Sequence, residues 1–305
     1  MDTPAYHIPA LLDAAIDGLD IKPEGIYVDA TFGGGGHSRA ILARLESKGH
    51  LYSFDQDIDA QANAVSDDTR FTFVYSNFRY LPNFLRYYGV EKADGILADL
   101  GVSFHHFDDA SRGFSFRADA PLDMRMNRQA GRTAADIVAE ADRRELIRIL
   151  GTYGDLKHPA PVADAIIAAR TSAPVDTTGR LLDAVGRAVS PRQEKKELAQ
   201  IFQALRIEVN GEMRALEEFL MSTMKVLRPG GRLAVITYHS LEDRMVKNFM
   251  RSGNLSGEAE KDFFGKVLSP WRLITRSPVT PTPEEIESNP RSRSAKLRIA
   301  ELAAE

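Results

Sequence analysis

The chain of 305 residues contains no cysteine. That absence excludes disulfides, thiolate metal sites and thiol nucleophiles together. No apolar run approaches the ~20 residues a membrane-spanning helix needs, so no membrane association is expected. The opening MDTPAYHIPALLDAA lacks the basic n-region and cleavage site of a secretory signal, and a cytoplasmic protein is expected. There is no overall excess of positive charge either. A net charge of −4 argues against general affinity for nucleic acid. The mean conceals a contrast, however. Between Ala110 and Gln200 there are 15 Lys and Arg against 12 Asp and Glu, while the remainder has 24 against 31.

What is present reads as an ordinary globular composition, 43% apolar and 27% charged. The length exceeds what one core usually sustains, so about two domains are expected. The first hundred residues alternate strand and helix patterns, as in a parallel sheet with crossover helices. Strands are predicted at Ile26–Phe32, His50–Asp55, Phe71–Ser76 and Gly95–Leu100. Helices are predicted at Ser38–Lys48, Ile58–Val65 and Leu81–Tyr88.

The rhythm breaks after Phe104, where SFHHFDDASRGFSFRADAPLDMRM has no clear period. Helical patterns without strands follow at Ala134–Leu150, Ala160–Ala169 and Thr178–Val189. A long helix over Glu197–Val226, a turn at Arg228–Gly231 and a strand at Arg232–Tyr238 restore the sheet. Two last strands, Arg272–Arg276 and Lys296–Glu301, suit a closing hairpin. The fold class expected is therefore α/β, one sheet domain (1–107 and 201–305) interrupted by an all-helical insertion (108–200).

Four glycines in VDATFGGGGHS sit at the C-terminal end of the first strand, where open sheets bind ligands. The dinucleotide pattern G-x-G-x-x-G fails, because its third position is Ser38 or, one register on, Arg39. A phosphate loop fails too, for want of the following lysine. Asp55 ends the second strand, 22 residues beyond Gly33, where a carboxylate typically accepts hydrogen bonds from a ribose. Ribose without pyrophosphate suggests S-adenosylmethionine, whose cationic sulfur suits an acidic rim; Asp29 and Asp99 are candidates for it. A nicotinamide oxidoreductase, a non-catalytic RNA-binding module and a methyltransferase for small molecules or DNA stay open at this point.

Longer motifs carry a resemblance. They are ALLDAAIDGL after His7, YVDATFGGGGHS, FDQD, DLGVS at 99–103 and RGFSFRADAPLDMRM at 112–126. FQALRIEVNGE at 202–212, RPGGRL, HSLEDRMVK at 239–247 and NPRSRSAKLR at 289–298 complete them. Nearly end to end, the chain resembles the bacterial RsmH (MraW) family, which methylates the exocyclic N4 amine of a cytosine in 16S ribosomal RNA. The resemblance implies a class I, Rossmann-like methyltransferase sheet with an inserted substrate domain, and S-adenosylmethionine as methyl donor. It further implies 16S rRNA as partner, within the small ribosomal subunit, and leaves room for an oligomer. Carried over, the cofactor positions are Gly35, Gly36, His37, Asp55, Phe78, Asp99 and His106. His106 departs from the family, which usually has Ser-x-Gln where this chain has Phe104-His105-His106.

Asp99 and the carbonyls of Leu100 and Gly101 stand where amino-methyltransferases place acceptors for an amine's N–H groups. His239, just past a strand end, is either a base contact or part of a helix start, since Ser240-Leu241-Glu242-Asp243 resembles a capping box. Arg112, Arg117, Arg125, Arg128 and Arg132 are expected to contact RNA phosphates, and Arg291, Arg293, Lys296 and Arg298 form a second basic group. Phe104, Phe107, Phe114 and Phe116 are candidates for base stacking. His105 and His106 beside Asp108 and Asp109 do not suggest a metal, because adjacent side chains on regular structure diverge; no metal is expected.

Overall fold

The computed structural model describes residues 9–103, 107, 109–129, 131–265 and 268–304. The chain divides into two compact units: Met1–Gly101 with Arg214–Glu305, and Val102–Met213.

The first unit holds a seven-stranded sheet. Its strands are β1 (Ile26–Asp29), β2 (His50–Asp55), β3 (Phe71–Tyr75), β4 (Ala93–Asp99), β5 (Leu227–Thr237), β6 (Trp271–Leu273) and β7 (Lys296–Leu302). They lie in the order β3-β2-β1-β4-β5-β7-β6. The first five are parallel, with Val28 opposite both Tyr52 and Ile96. β7 runs antiparallel between β5 and β6, so the expected closing hairpin forms. The central strands are apolar on both faces because helices cover both; β4 is buried from Ala93 to Ala98. On one face Ala15, Ile16 and Leu19 of the helix Leu12–Leu19 pack with Ile41, Leu97, Ile236, Leu297 and Ile299.

This order sets the site. The chain leaves β1 for β2 and β3 on one side, then returns to β4 on the other. The loops after β1 and β4 therefore diverge and leave a crevice at their C-terminal ends, where doubly wound sheets bind ligands.

The second unit has helices at Ala134–Glu140, Arg143–Gly154, Pro159–Ser172, Thr178–Val185 and Glu194–Asn210. They close on a core of Ile137, Leu146, Ile149, Leu150, Ile166, Leu181, Ile201 and Leu205, with Phe114, Leu122 and Met124 from the segment before them. Thr133 and Asp136 form a reciprocal capping box at the first helix, an arrangement typically contributing about 1 kcal/mol.

Several expected elements differ. The predicted helix Ala134–Leu150 is two helices, because Ala141 is extended and Asp142 caps a new start through the Glu145 N–H. The predicted helix Glu197–Val226 likewise divides into Glu194–Asn210 and Glu212–Val226 at Gly211, whose φ of 57° no right-handed helix accommodates. Ile58–Val65 becomes a 3-10 segment, Ile58–Asn63, and the first crossover helix is only Gly36–Leu42. The turn at Arg228–Gly231 is a bulge within β5, where pairing shifts from Ala93–Leu227 to Gly95–Arg232.

Candidate functional site

The glycine loop is held from beneath. Asp29, fully buried at the end of β1, accepts from Ser38 Oγ at 2.6 Å and from the Thr31 N–H at 3.1 Å. Burial pushes its carboxyl up to about 6 against the pull of those donors. Asp29 is thus a strut under the loop and forms no part of an acidic rim.

Above it, Gly33 and Gly35 take φ of 50° and 75°, and Gly35 caps the helix that starts at Gly36. A side chain at Gly35 would be doubly excluded. Its conformation is left-handed, and a Cβ there would lie 2.8 Å from the Phe32 ring. The Asn63 amide donates to the Gly33 carbonyl at 3.1 Å, and Arg39 bridges the Gly34 and Asn63 carbonyls at 2.7 and 2.9 Å.

Asp55 faces the loop from β2. Its Oδ2 accepts from the Gly33 N–H and its Oδ1 from the Asp57 N–H, both at 2.8 Å. Each oxygen accepts one hydrogen bond and so keeps a second acceptor position. Burial raises this carboxyl to about 6, the two N–H donors opposing it. Phe78 opens the 3-10 turn Phe78–Tyr80 after β3 and meets Phe219 edge-on, ring centroids 5.1 Å apart. Asn77, which caps that turn, donates to Gln56 at 2.7 Å and so ties the loops after β2 and β3 together.

Asp99 ends β4 across the crevice. Its backbone N–H donates to Thr31 Oγ1 at 2.6 Å, joining the tips of β1 and β4. Tyr238, at the end of β5, donates its hydroxyl to Asp99 Oδ1 at 2.8 Å, and His37 Nδ1 lies 3.8 Å from Oδ2. Burial drives the Asp99 carboxyl up to about 7; the Tyr238 hydrogen bond opposes this, and the charges of Asp29 and Glu242 reinforce it. The Leu100 N–H is committed to the Ile236 carbonyl at 2.9 Å. Gly101, beside the Tyr238 ring, has φ of 103°, a conformation that favours glycine.

His239 resolves as a helix cap. It, and not Ser240, is the first residue of the capping box: its Nδ1 accepts from the Glu242 N–H, and Glu242 Oε2 accepts from the Tyr238 and His239 N–H groups. The box sits one residue earlier than the sequence suggested. Asp243 is released to pair with Arg298 at 2.7 Å.

The structure thus gathers Gly35, Gly36, His37, Asp55, Asp99, Leu100 and Gly101 around one sheet edge. Sequence reasoning missed Thr31, Asn63 and Tyr238. Only Tyr238 had a signal, its place at the end of the predicted strand Arg232–Tyr238.

A family model for the MraW methylase family matches residues 4–303. A protein of Phocaeicola vulgatus called ribosomal RNA small subunit methyltransferase H is 61% identical over 97% of both chains. A namesake from Parabacteroides distasonis is also 61% identical over 97% of both, and one from Porphyromonas gingivalis is 57% identical over 97% of this chain and 96% of its own. The chain belongs to the MraW methylase family. A solved rRNA methylase from Streptococcus thermophilus covers 98% of this chain and 99% of its own at 13% identity and a TM-score of 0.45, too loose a likeness to bear on the site.

In this MraW-family chain the five candidate RNA-binding arginines are unlike one another. Arg112 is 1% exposed and donates to the Arg125 and Met126 carbonyls at 3.0 Å each, so it braces its own segment and presents no charge to a phosphate. Arg125 is neutralised by a two-point pair with Asp123 at 2.8 Å. Arg117, Arg128 and Arg132 are exposed; Arg132 pairs with Glu140 at 3.1 Å across solvent. In the second group Arg298 is buried against Asp243, while Arg291 and Arg293 are exposed. Phe114 is buried and Phe116 packs edge-on against Phe202, which leaves Phe107 as the exposed aromatic among the described candidates. Phe104, His105, His106 and Asp108 lie outside the described residues. Among the described residues no helix is long and apolar enough to cross a membrane.

Proposed function

We infer that this chain transfers a methyl group from S-adenosylmethionine to the exocyclic N4 amine of a cytosine in 16S ribosomal RNA. The observation that carries this reading is the near full-length identity, 61% over 97% of both chains, with a protein named as a small-subunit rRNA methyltransferase. The crevice supports it independently.

The residues present fit the donor. Asp55 retains one acceptor position on each oxygen for the ribose hydroxyls. At Gly33 nothing lies within 4 Å of where a Cβ would be, so the loop backbone is open there, and Asp99 offers a carboxylate to a cationic group. When bound, S-adenosylmethionine supplies a methyl group activated by its positively charged sulfur.

The chain's own task is alignment. A cytosine amine is a poor nucleophile because its lone pair is delocalised into the ring. An acceptor for its N–H protons favours the reactive pyramidal form, and the gain is largest as positive charge develops on nitrogen. The Leu100 and Gly101 carbonyls are our candidates for that acceptor, with Asp99 partly committed to the cofactor and held by Tyr238. Attack by a ring carbon normally requires a thiolate to add to the base first, and this chain has none.

The exposed Arg117, Arg128 and Arg132 of the helical unit are our candidates for gripping RNA phosphates. We place the substrate strand within the small ribosomal subunit, hence in the cytoplasm. The test is to incubate the protein with labelled cofactor and either a 16S rRNA transcript or small subunits, then digest the RNA to nucleosides. Mass spectrometry with chromatography separates N4-methylcytidine from its ring-methylated isomer. N4-methylcytidine is expected, and a ring-carbon product would overturn the mechanism.

A further inference from the structure

On the antiparallel side of the sheet, the helix Ser240–Ser252 packs over β6 and β7 and leaves a cavity of about 240 Å³. Lys247, Met250 and Arg251 line it from the helix, Leu273 and Arg276 from β6 and the segment beyond, and Arg298 from β7. Four of these side chains are cations and none of the lining residues is a carboxylate.

Arg298 is 8% exposed, and its Nε and Nη2 are bound to Asp243 at 2.7 and 3.2 Å. Among the described residues its third nitrogen, Nη1, makes no hydrogen bond. Lys247, Arg251 and Arg276 are exposed and form no ion pair among the described residues. Thr275, also lining the cavity, accepts the Ile299 N–H at 2.9 Å and keeps its hydroxyl proton to donate.

Such convergence is unfavourable in the absence of an anion. Lys247 and Arg251 are four apart on one helix, where like charges destabilise by a few tenths of a kcal/mol. Arg251 sits in the last turn, where the helix dipole favours a cation. Lys247 has Asp243 four residues before it on the helix, but that carboxylate is engaged by Arg298 and Lys296. Arg276, on another segment, has no helix dipole to favour it. The cavity is smaller than the roughly 300–1,000 Å³ of pockets that enclose whole drug-sized ligands, so it suits a single charged group. It is also remote from the glycine loop: β6 lies four strands from β1, about 19 Å at the usual spacing.

We propose that this cavity holds a phosphodiester group of the RNA substrate, a backbone contact separate from the cofactor crevice. The proposal rests on the rRNA methyltransferase reading above. Phosphate contacts fix register without reading sequence, which is what a remote anchor should do.

The experiment measures binding of a 16S rRNA transcript to the full chain across a salt series, for the wild type and Lys247→Ala/Arg276→Ala. Two lost phosphate contacts should lower the slope of log affinity against log salt by roughly 1.4–1.8 and weaken low-salt binding several-fold. S-adenosylmethionine affinity, read alongside, should be unchanged, which also verifies folding. Lys247→Gln alone, at an exposed position, should give about half the shift and stands in if the double variant does not fold. An unchanged slope in the double variant, where the wild type does methylate the transcript, overturns this inference alone. Saturation of the cavity by inorganic phosphate with that slope unchanged identifies a free-anion site and overturns it as well. A wild type that neither binds nor methylates the transcript overturns the underlying function.

Discussion

Replacing Asp99 by asparagine and following cofactor affinity from about pH 8 to about pH 6 tests how the crevice handles charge. In the unliganded protein burial holds this carboxyl at about 7, with Asp29 and Glu242 adding to the shift and Tyr238 opposing it. A bound cation beside it would return it toward the ordinary carboxylate value near 4. Binding then requires the proton to leave. Affinity should fall about tenfold between pH 8 and pH 6, and approach a tenfold loss per unit below that. Asp99→Asn cannot titrate, so its affinity should be lower at pH 8 and nearly flat. Comparing the two proteins cancels the cofactor's own amine and the contribution of Asp55, whose carboxyl is held at about 6. Isothermal calorimetry provides the constants. Repeating it with S-adenosylhomocysteine, which has the amine but no sulfonium, tells which cation Asp99 faces. Parallel pH curves for wild type and variant would refute the reasoning. The same shift also acts on folding. A raised folded-state pKa favours the protonated form, so this group's contribution to stability is present below about pH 4 and lost as pH rises through about 7.

Asp55→Ala should weaken S-adenosylmethionine binding by roughly 1–3 kcal/mol, because ribose hydroxyls and the Gly33 N–H lose their acceptor; unchanged affinity in a folded variant would remove Asp55 from the site. Reversing Arg128 and Arg132 to glutamate should weaken RNA binding and flatten its salt dependence while cofactor affinity stays put, as filter binding can report; normal RNA binding would make them a solvated face. Arg112→Met should leave RNA contacts intact but leave the Arg125 and Met126 carbonyls without that donor, at about 1–3 kcal/mol each if they stay unpaired, read from the denaturation midpoint.

The sheet was legible because its signals are local. Parallel strands buried on both faces read as short apolar runs. These and the two antiparallel strands were all found, His50–Asp55 at both ends, though β5 begins at Leu227, five residues before its predicted start. Helix ends were less legible. The predicted helix Glu197–Val226 looked continuous because apolar periodicity carries through Asn210-Gly211-Glu212, and a glycine within a helical pattern does not by itself declare φ > 0. The break at Ala141 had a clearer sign, an aspartate three residues before a glutamate, but it fell inside a longer apolar rhythm.

The crevice shows a different limit. Its glycines and terminal aspartates could be found because ligand edges lie at strand ends, and strand ends were found. The division of labour among similar residues could not. Asp29, Asp55 and Asp99 each end a parallel strand, yet one is a fully buried strut, one binds loop amides and one faces a tyrosine and a histidine. Among the arginines of 112–132, Arg112 is buried and Arg117, Arg128 and Arg132 are exposed. The same holds for His239, where a capping box one residue earlier than expected sets its Nδ1 at the helix start and frees Asp243 for Arg298. Residue type and spacing fix which chemistry is available at an edge. Which of several like groups carries it is settled by the competing backbone donors and carbonyls around each, and those come from loops whose conformation has no period to read.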